Sequence, residues 1–353
     1  MTLARMWPFQ DLMAGREDVD YSIHLLGRYR GDPEPISTRA FVHHSLPRHR
    51  RPNEVWLFRG WNSAALVLAA HSARARGIPL MLWHETPGRT YEALTGREAA
   101  RIRVREWLLP QIFRAYRGRV LLGVGELAAR RFAELAPGSH VDLLAYPNYR
   151  ADSLLASPDN DDGEASERTP RLLFVGELSR RKGVDVLAKA CEQLWREGLE
   201  FGIRYAGAGP MEGLARAHAA RSGGRAEVLG QVGGGELLDL FRTSEGFALP
   251  SRWDAWGLVV HEALAAGLPV IVSDKCGAKM LCDGCGVTVQ AGSPASLAEG
   301  LRWCISLTAG ERESIRSRAR ARASEITMDR VADALVGHAR EALALDSAGA
   351  ELR

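Results

Sequence analysis

Lysine is scarce in this chain. The 46 Lys and Arg residues among 353 include only four lysines, Lys182, Lys189, Lys275 and Lys279. Arginine stands almost everywhere else, which reads as coding composition and makes each lysine worth locating. Long apolar runs are missing too: no stretch approaches the roughly 18 apolar residues that a membrane-spanning helix needs, so any membrane contact is expected to be peripheral. The five cysteines form no disulfide framework. Their odd number and the lack of a recognisable secretory leader point to reduced thiols and a cytoplasmic chain. Net charge is small, +3, with 25% charged and 46% hydrophobic residues, which excludes a disordered chain and a dedicated polyanion binder, so no nucleic-acid partner is expected. Walker loops, zincin motifs and nucleophile elbows are absent.

What is present is length enough for two domains and a split in charge. Residues 1–150 hold 22 arginines, no lysine and 14 acids, a balance of +8, and the remainder carries −5. The clearest boundary is Ser157–Pro170, acidic and without any aliphatic residue larger than alanine, which reads as a linker. Short apolar runs (Val55–Phe58, Leu80–Trp83, Val120–Val124) alternate before it with helical patterns at Asn62–Arg76, Arg97–Arg117 and Glu126–Leu135. The same rhythm returns from Arg171 to Ser273. Alternation of this kind predicts an α/β fold of two Rossmann-like domains, each a parallel sheet with crossover helices, facing across a cleft. The expected division is 1–156, a 157–170 linker, 171–325, and a helical segment 326–353 that packs back on the N-terminal domain, with Thr327 as a cap before Val331–Leu345. The start is unusual: residues 2–15 read as helical and the first strand-like run is Tyr21–Leu26, so either a first strand is absent or the start lies upstream.

Chemistry concentrates in Pro250–Asp274, PSRWDAWGLVVHEALAAGLPVIVSD. A strand ends at Pro250, a loop carries Asp254, Trp256-Gly257 turns the chain, and an apolar helix runs through Glu262 until Gly267 and Pro269 stop it. Such a helix start suits a phosphate, and the two acids, one in the loop and one in the helix, can accept hydrogen bonds from sugar or ribose hydroxyls. At the first strand-to-helix turn after the linker, Phe174–Asp185 places Arg180, Arg181 and Lys182 before Gly183, a basic cluster suited to a diphosphate.

The segment from Asp254 to Val270 resembles the acidic-x7-acidic signature of the GT-B glycosyltransferases of family 4, with Asp254 in place of the usual first glutamate and Glu262 as the second. The resemblance implies a retaining, metal-independent hexosyl- or glycosyltransferase of the EC 2.4 type, with the nucleotide sugar bound by the C-terminal domain and the acceptor by the N-terminal one. It implies that Lys182 meets the diphosphate, that Asp254 orients donor-sugar hydroxyls and that Glu262 binds ribose. Glu177 stands where relatives commonly have an arginine, and Arg181 is the expected substitute. Further contacts to the nucleotide sugar are implied for Arg180, Trp256, Gly257 and Leu258, for Gly207 and Gly209 in the loop Gly207-Ala208-Gly209-Pro210, and for Val232 after Gly230-Gln231. In the N-terminal half, His84, just past the strand Leu80–Trp83, corresponds to a histidine that hydrogen-bonds the donor sugar. Glu126, at the strand end Gly123–Glu126, is a further candidate contact. Gly60-Trp61-Asn62-Ser63 is explained by helix capping.

No separate cofactor is implied beyond the donor substrate, a UDP or GDP sugar, and the acceptor is a saccharide, a lipid-linked molecule or a small molecule. Arg97–Arg119 mixes seven arginines with apolar residues. It either lies on an anionic membrane or buries its apolar face as a crossover helix pair broken at Pro110. Cys276, Cys282 and Cys285 lack the fourth ligand that a structural zinc site wants. Alternative readings are a non-catalytic scaffold that keeps the fold and a GT-B epimerase or phosphorylase, although no lysine has a convincing Schiff-base context.

Overall fold

A computed structural model of the chain describes residues 54–58, 64–87, 104, 106–156 and 169–351. The expectations for 2–15, Tyr21–Leu26, Gly60–Ser63, 97–103 and 157–168 lie outside these residues. The chain divides into two units, one of Met1–Arg89, Ala93–Ala145 and Asp329–Arg353, the other of Thr90–Glu92 and Tyr146–Met328.

The first unit is built on β1 (Trp56–Phe58), α1 (Ala64–Ala75), β2 (Leu80–His84), β3 (Val120–Gly123), α2 (Glu126–Leu135) and β4 (His140–Leu143). Its four strands lie parallel in chain order, with Trp56 opposite Leu80, Met81 opposite Val120, and Val120 opposite His140. The central runs Leu80–Trp83 and Val120–Gly123 are buried throughout, as parallel strands covered on both faces must be, and the edge strand β4 is largely exposed. Phe58, Leu82, Phe113, Tyr116, Leu121 and Phe132 form the core.

Residues 106–112 are helical and tighten to a 3-10 turn at Phe113–Tyr116. Pro110, expected to break this segment, lies inside the helical stretch, and the change of geometry comes three residues later. The apolar residues of the segment divide between two environments. Leu109, Phe113 and Tyr116 are buried, whereas Val104, Trp107 and Leu108 are 57%, 75% and 38% exposed. Burial in the core therefore accounts for only part of its hydrophobic surface.

The second unit begins with α3 (Tyr149–Leu155) and continues β5 (Arg171–Val175), α4 (Val184–Arg196), β6 (Gly202–Ala206), α5 (Glu212–Arg221), β7 (Ala226–Gly230), α6 (Gly234–Arg242), β8 (Gly246–Leu249), α7 (Leu258–Ala265), β9 (Val270–Ser273), β10 (Gly286–Val289), α8 (Pro294–Ser306) and α9 (Ala309–Ala323). All six strands are parallel, in the order β10-β9-β8-β5-β6-β7. The chain thus builds outward from β5 through β6 and β7, then restarts on the other side with β8. Reversal of direction between β5 and β8 makes that pair the topological switch point, where the loops leaving the carboxyl ends diverge and open a crevice.

Expectation and structure differ at the division between the units. Sequence composition set it at 156, but the division falls between Ala145 and Tyr146, because α3 packs on α7 and α9 of the second unit. The last helix, α10 (Met328–Glu351), belongs from Asp329 onward to the first unit, where Asp346 pairs with Arg119 at 2.8 Å and Glu341 with His140 at 3.2 Å.

Candidate donor site at the switch point

The two loops at the switch point carry the basic cluster and the first acid. After β5 the chain runs Gly176–Gly183 and enters α4. After β8 it runs Pro250–Gly257 and enters α7. Gly183 begins α4 with φ 78, and a Cβ there would lie 2.1 Å from the carbonyl oxygen of Pro250, so only glycine lets these loops approach so closely. Three further contacts tie them together. The Arg252 amide donates to the Arg181 carbonyl at 2.8 Å, its guanidinium donates to the Arg180 carbonyl at 2.8 Å, and the same guanidinium forms a two-pronged pair with Asp185, 2.6 Å on each prong. Burial alone would raise the Asp185 pKa, but the hydrogen bonds and charge of Arg252 outweigh it and hold the carboxyl below its ordinary value.

Across this frame Lys182 Nζ donates to Asp254 Oδ2, both side chains being 12% exposed. Asp254 is fixed from behind, its amide donating to Lys275 O at 3.1 Å and its carbonyl accepting from the Gly277 amide at 3.0 Å. Arg181 is held more loosely: its guanidinium lies 3.4 Å from Glu177 Oε2 and 3.4 Å from Trp253 O. Glu177, conspicuous in the sequence as an acid among bases, is therefore the ion-pair partner of the residue expected to replace the missing arginine. The Arg180 side chain is exposed.

The loops after β6 and β7 adjoin the same edge. The Gly207 amide donates to Gly230 O at 2.6 Å, and Leu178 N donates to Ala208 O at 3.0 Å. A Cβ on Gly207 would come within 1.8 Å of Gly176 O, so the glycine has a packing reason independent of any ligand. Val232, two residues past β7, is half-buried.

Glu262 occupies a different environment on α7. Gly257 starts that helix, and Leu258 lies in its first turn, where backbone N–H groups have no intrahelical partner. Trp256, just before it, is buried. Glu262 is 0% exposed, and its Oε1 accepts two hydrogen bonds, from Asn148 Nδ2 at 2.6 Å and from Arg150 Nε at 2.8 Å. Among the described residues its Oε2 has no partner. The neighbouring His261 turns to the opposite side, its Nε2 3.0 Å from Ala323 O, with burial lowering its pKa.

The structure thus joins Lys182 to Asp254, and gives Glu262 a separate cation, Arg150. Asn148 and Arg150 were not singled out from the sequence. They lie more than a hundred residues from Glu262, and the only local signal is an asparagine preceding a helix. His84 ends β2 in the first unit, half-buried, with Nδ1 3.1 Å from Glu85 O. Glu126, in the first turn of α2, lies 3.4 Å from Arg130 in an exposed pair. Among the described residues no group of three or more His, Cys, Asp or Glu is placed to hold a metal ion, and Cys276, Cys282 and Cys285 are all free and buried.

Residues 158–322 match the family described as "Glycosyl transferases group 1". A D-inositol 3-phosphate glycosyltransferase of Rhodococcus erythropolis is 34% identical over 181 residues, 49% of this chain and 38% of that protein. An uncharacterized glycosyltransferase of Methanocaldococcus jannaschii is 32% identical over 139 residues, 38% of this chain and 35% of that protein. The chain therefore spans well under half the length of the curated relatives it matches. An α,α-trehalose 6-phosphate synthase of Burkholderia multivorans superposes with a TM-score of 0.67 at 16% identity, over 90% of this chain and 74% of that one, which shows a shared GT-B fold. With its two parallel sheets the chain has the GT-B fold, and the stretch 158–322, most of the second unit, is similar to the group 1 glycosyltransferases.

Proposed function

We propose that the chain is a retaining glycosyltransferase of family 4 that moves a sugar from a nucleoside-diphosphate sugar, of UDP or GDP type, to an acceptor hydroxyl. One observation carries this reading: a fully buried carboxylate, Glu262, keeps an oxygen with no donor among the described residues. Leaving a buried acceptor unpaired costs on the order of 1–3 kcal/mol. A ligand hydroxyl would supply the missing donor, and ribose offers two. The cations needed for the other end of such a ligand stand at the switch point. Lys182 and Arg181, with the N-terminal turn of α7, would stabilise charge developing on the departing diphosphate, with no resident metal required. Arg180, Gly207, Gly209, Trp256 and Val232 would line the nucleotide, and Asp254 would orient the sugar. His84 would contribute from the first unit, which would take the saccharide, lipid-linked or small-molecule acceptor.

In the transfer step the bond between the anomeric carbon and the diphosphate oxygen breaks, and the acceptor oxygen bonds to the same carbon from the same face. The acceptor proton passes to the leaving phosphate oxygen. No side chain is assigned as a nucleophile. An anionic membrane is proposed as a peripheral contact of the helix carrying Val104, Trp107 and Leu108. Three exposed apolar residues in a segment of seven arginines and two glutamates suit such a surface. Among the described residues no helix is long and apolar enough to cross a membrane.

The test is incubation with a panel of nucleotide sugars, reading heat protection and release of free nucleoside diphosphate. Protection by one donor class is expected. Absence of binding to every donor would sink the proposal in favour of a non-catalytic protein of this fold.

A further inference from the structure

The two oxygens of Glu262 are treated unequally. Oε1 takes both donors, Asn148 Nδ2 and Arg150 Nε, while Oε2 takes none among the described residues. The terminal torsion of a glutamate is broad and turns easily, so an unheld carboxylate would sample many orientations. Two donors converging on one oxygen fix its plane and present the other oxygen in a single direction. Arg150 supplies the countercharge that a fully desolvated carboxylate requires.

Asn148 does two things with one amide. Its Oδ1 accepts from the Arg150 amide at 3.1 Å and caps α3, while its Nδ2 donates to Glu262. Capping alone would be served by serine, threonine or aspartate. None of these has a donor at the reach of Nδ2, and aspartate would set a second negative charge against Glu262. The need for both an acceptor and a donor selects asparagine. The cap also fixes the turn from which Arg150 projects, so the two residues that hold Glu262 are built as one local unit. Both belong to the second unit of the chain, as Glu262 does.

From this geometry we propose that Asn148 and Arg150 are positioning residues for the nucleotide: by engaging Oε1 they hold Oε2 as a fixed acceptor for vicinal hydroxyls of the ligand. The proposal rests on the donor-site reading of Glu262. It predicts that the pair sets affinity for the nucleoside diphosphate and leaves the transfer step largely alone, because the same contact is made before and during reaction.

Asn148→Ser separates the two functions of the amide, since serine keeps the cap and removes the donor. Calorimetric titration with UDP and with GDP is expected to show dissociation constants raised about tenfold, equivalent to 1.4 kcal/mol. The thermal midpoint of the free protein should fall by no more than about 5 °C, because Arg150 still donates to Oε1. With the donor sugar that supports turnover, KM should rise by a similar factor with kcat changed less than about twofold. In a Glu262→Ala background, titrated to millimolar nucleotide, Asn148→Ser should change binding by less than about twofold, because its effect acts through Glu262. Arg150→Gln, on the partly exposed first turn of α3, provides a second variant should the first fail to fold, and is expected to weaken binding in the same way. If neither UDP nor GDP binds the wild-type protein, the donor-site reading fails. If wild type binds and Asn148→Ser binds equally well, or loses the same tenfold with and without Glu262, the positioning role is overturned.

Discussion

Replacing Asp254 by asparagine should move nucleotide affinity and sugar transfer in opposite directions. In the free protein Lys182 is paired with Asp254, and both side chains are 12% exposed. Two unit charges about 4 Å apart at an effective dielectric near 20 attract by about 4 kcal/mol, most of which offsets desolvation. Asparagine preserves shape but leaves the ammonium without its countercharge. Because the lysine stem is flexible and can carry its head toward water, the expected loss of stability is about 1–3 kcal/mol. A diphosphate arriving at Lys182 restores the missing charge and no longer competes with a carboxylate. By linkage the ligand recovers what the free protein lost, so UDP or GDP should bind about tenfold more tightly for each 1.4 kcal/mol recovered. Transfer should fall on the order of a hundredfold, the scale of losing one group that holds the reacting sugar. Urea denaturation, calorimetry with the free diphosphate and steady-state turnover read the three quantities separately. Weaker nucleotide binding by Asp254→Asn would refute the idea that Asp254 and the diphosphate share Lys182.

Two further substitutions test the frame beneath the site. Gly183→Ala places a Cβ 2.1 Å from the Pro250 carbonyl at φ 78, so the loops after β5 and β8 must part. A stability loss of about 2–4 kcal/mol by urea denaturation is expected, and a loss under about 1 kcal/mol would contradict the close approach. Arg252→Ala removes the group that holds the Asp185 carboxyl below its ordinary value of 3.8. A depressed carboxyl pKa stabilises the fold above the unfolded value and loses that contribution as pH falls through the folded one. The stability gap between wild type and Arg252→Ala should be fully open at neutral pH and close as pH drops below about 4. A gap independent of pH would show that the pair does not couple to folding.

Much of the second unit was legible because parallel strands covered on both faces appear as short apolar runs. Leu172–Val175, Phe247–Leu249 and Val270–Val272 are such runs, each followed by a glycine-punctuated turn. The spacing of Asp254 and Glu262 was legible for the same reason, being local to one loop and one helix. What escaped was long-range. Asn148 meets Glu262 across more than a hundred residues, and no periodicity records that hydrogen bond. The unit boundary was misplaced because α3 is short and amphipathic, and nothing in Tyr149–Leu155 says which sheet it will cover. Pro110 misled through a sound rule: proline removes one helical hydrogen bond, and that loss does not end a helix whose Leu109 face is already buried. Glu177 was visible as a departure from the family pattern, but its pairing with Arg181 became visible only when the turn was seen folded.

The central claim is that Glu262 offers its unpaired oxygen to a hydroxyl of a nucleoside diphosphate. Calorimetric titration of wild type and Glu262→Ala with UDP and with GDP tests it most directly. The account predicts saturable binding of at least one nucleotide by wild type and a loss of about a hundredfold or more in the variant, the combined weight of two hydrogen bonds to a charged group at roughly 1.5 kcal/mol each. Equal affinity in the two proteins, with the variant folded, would contradict it.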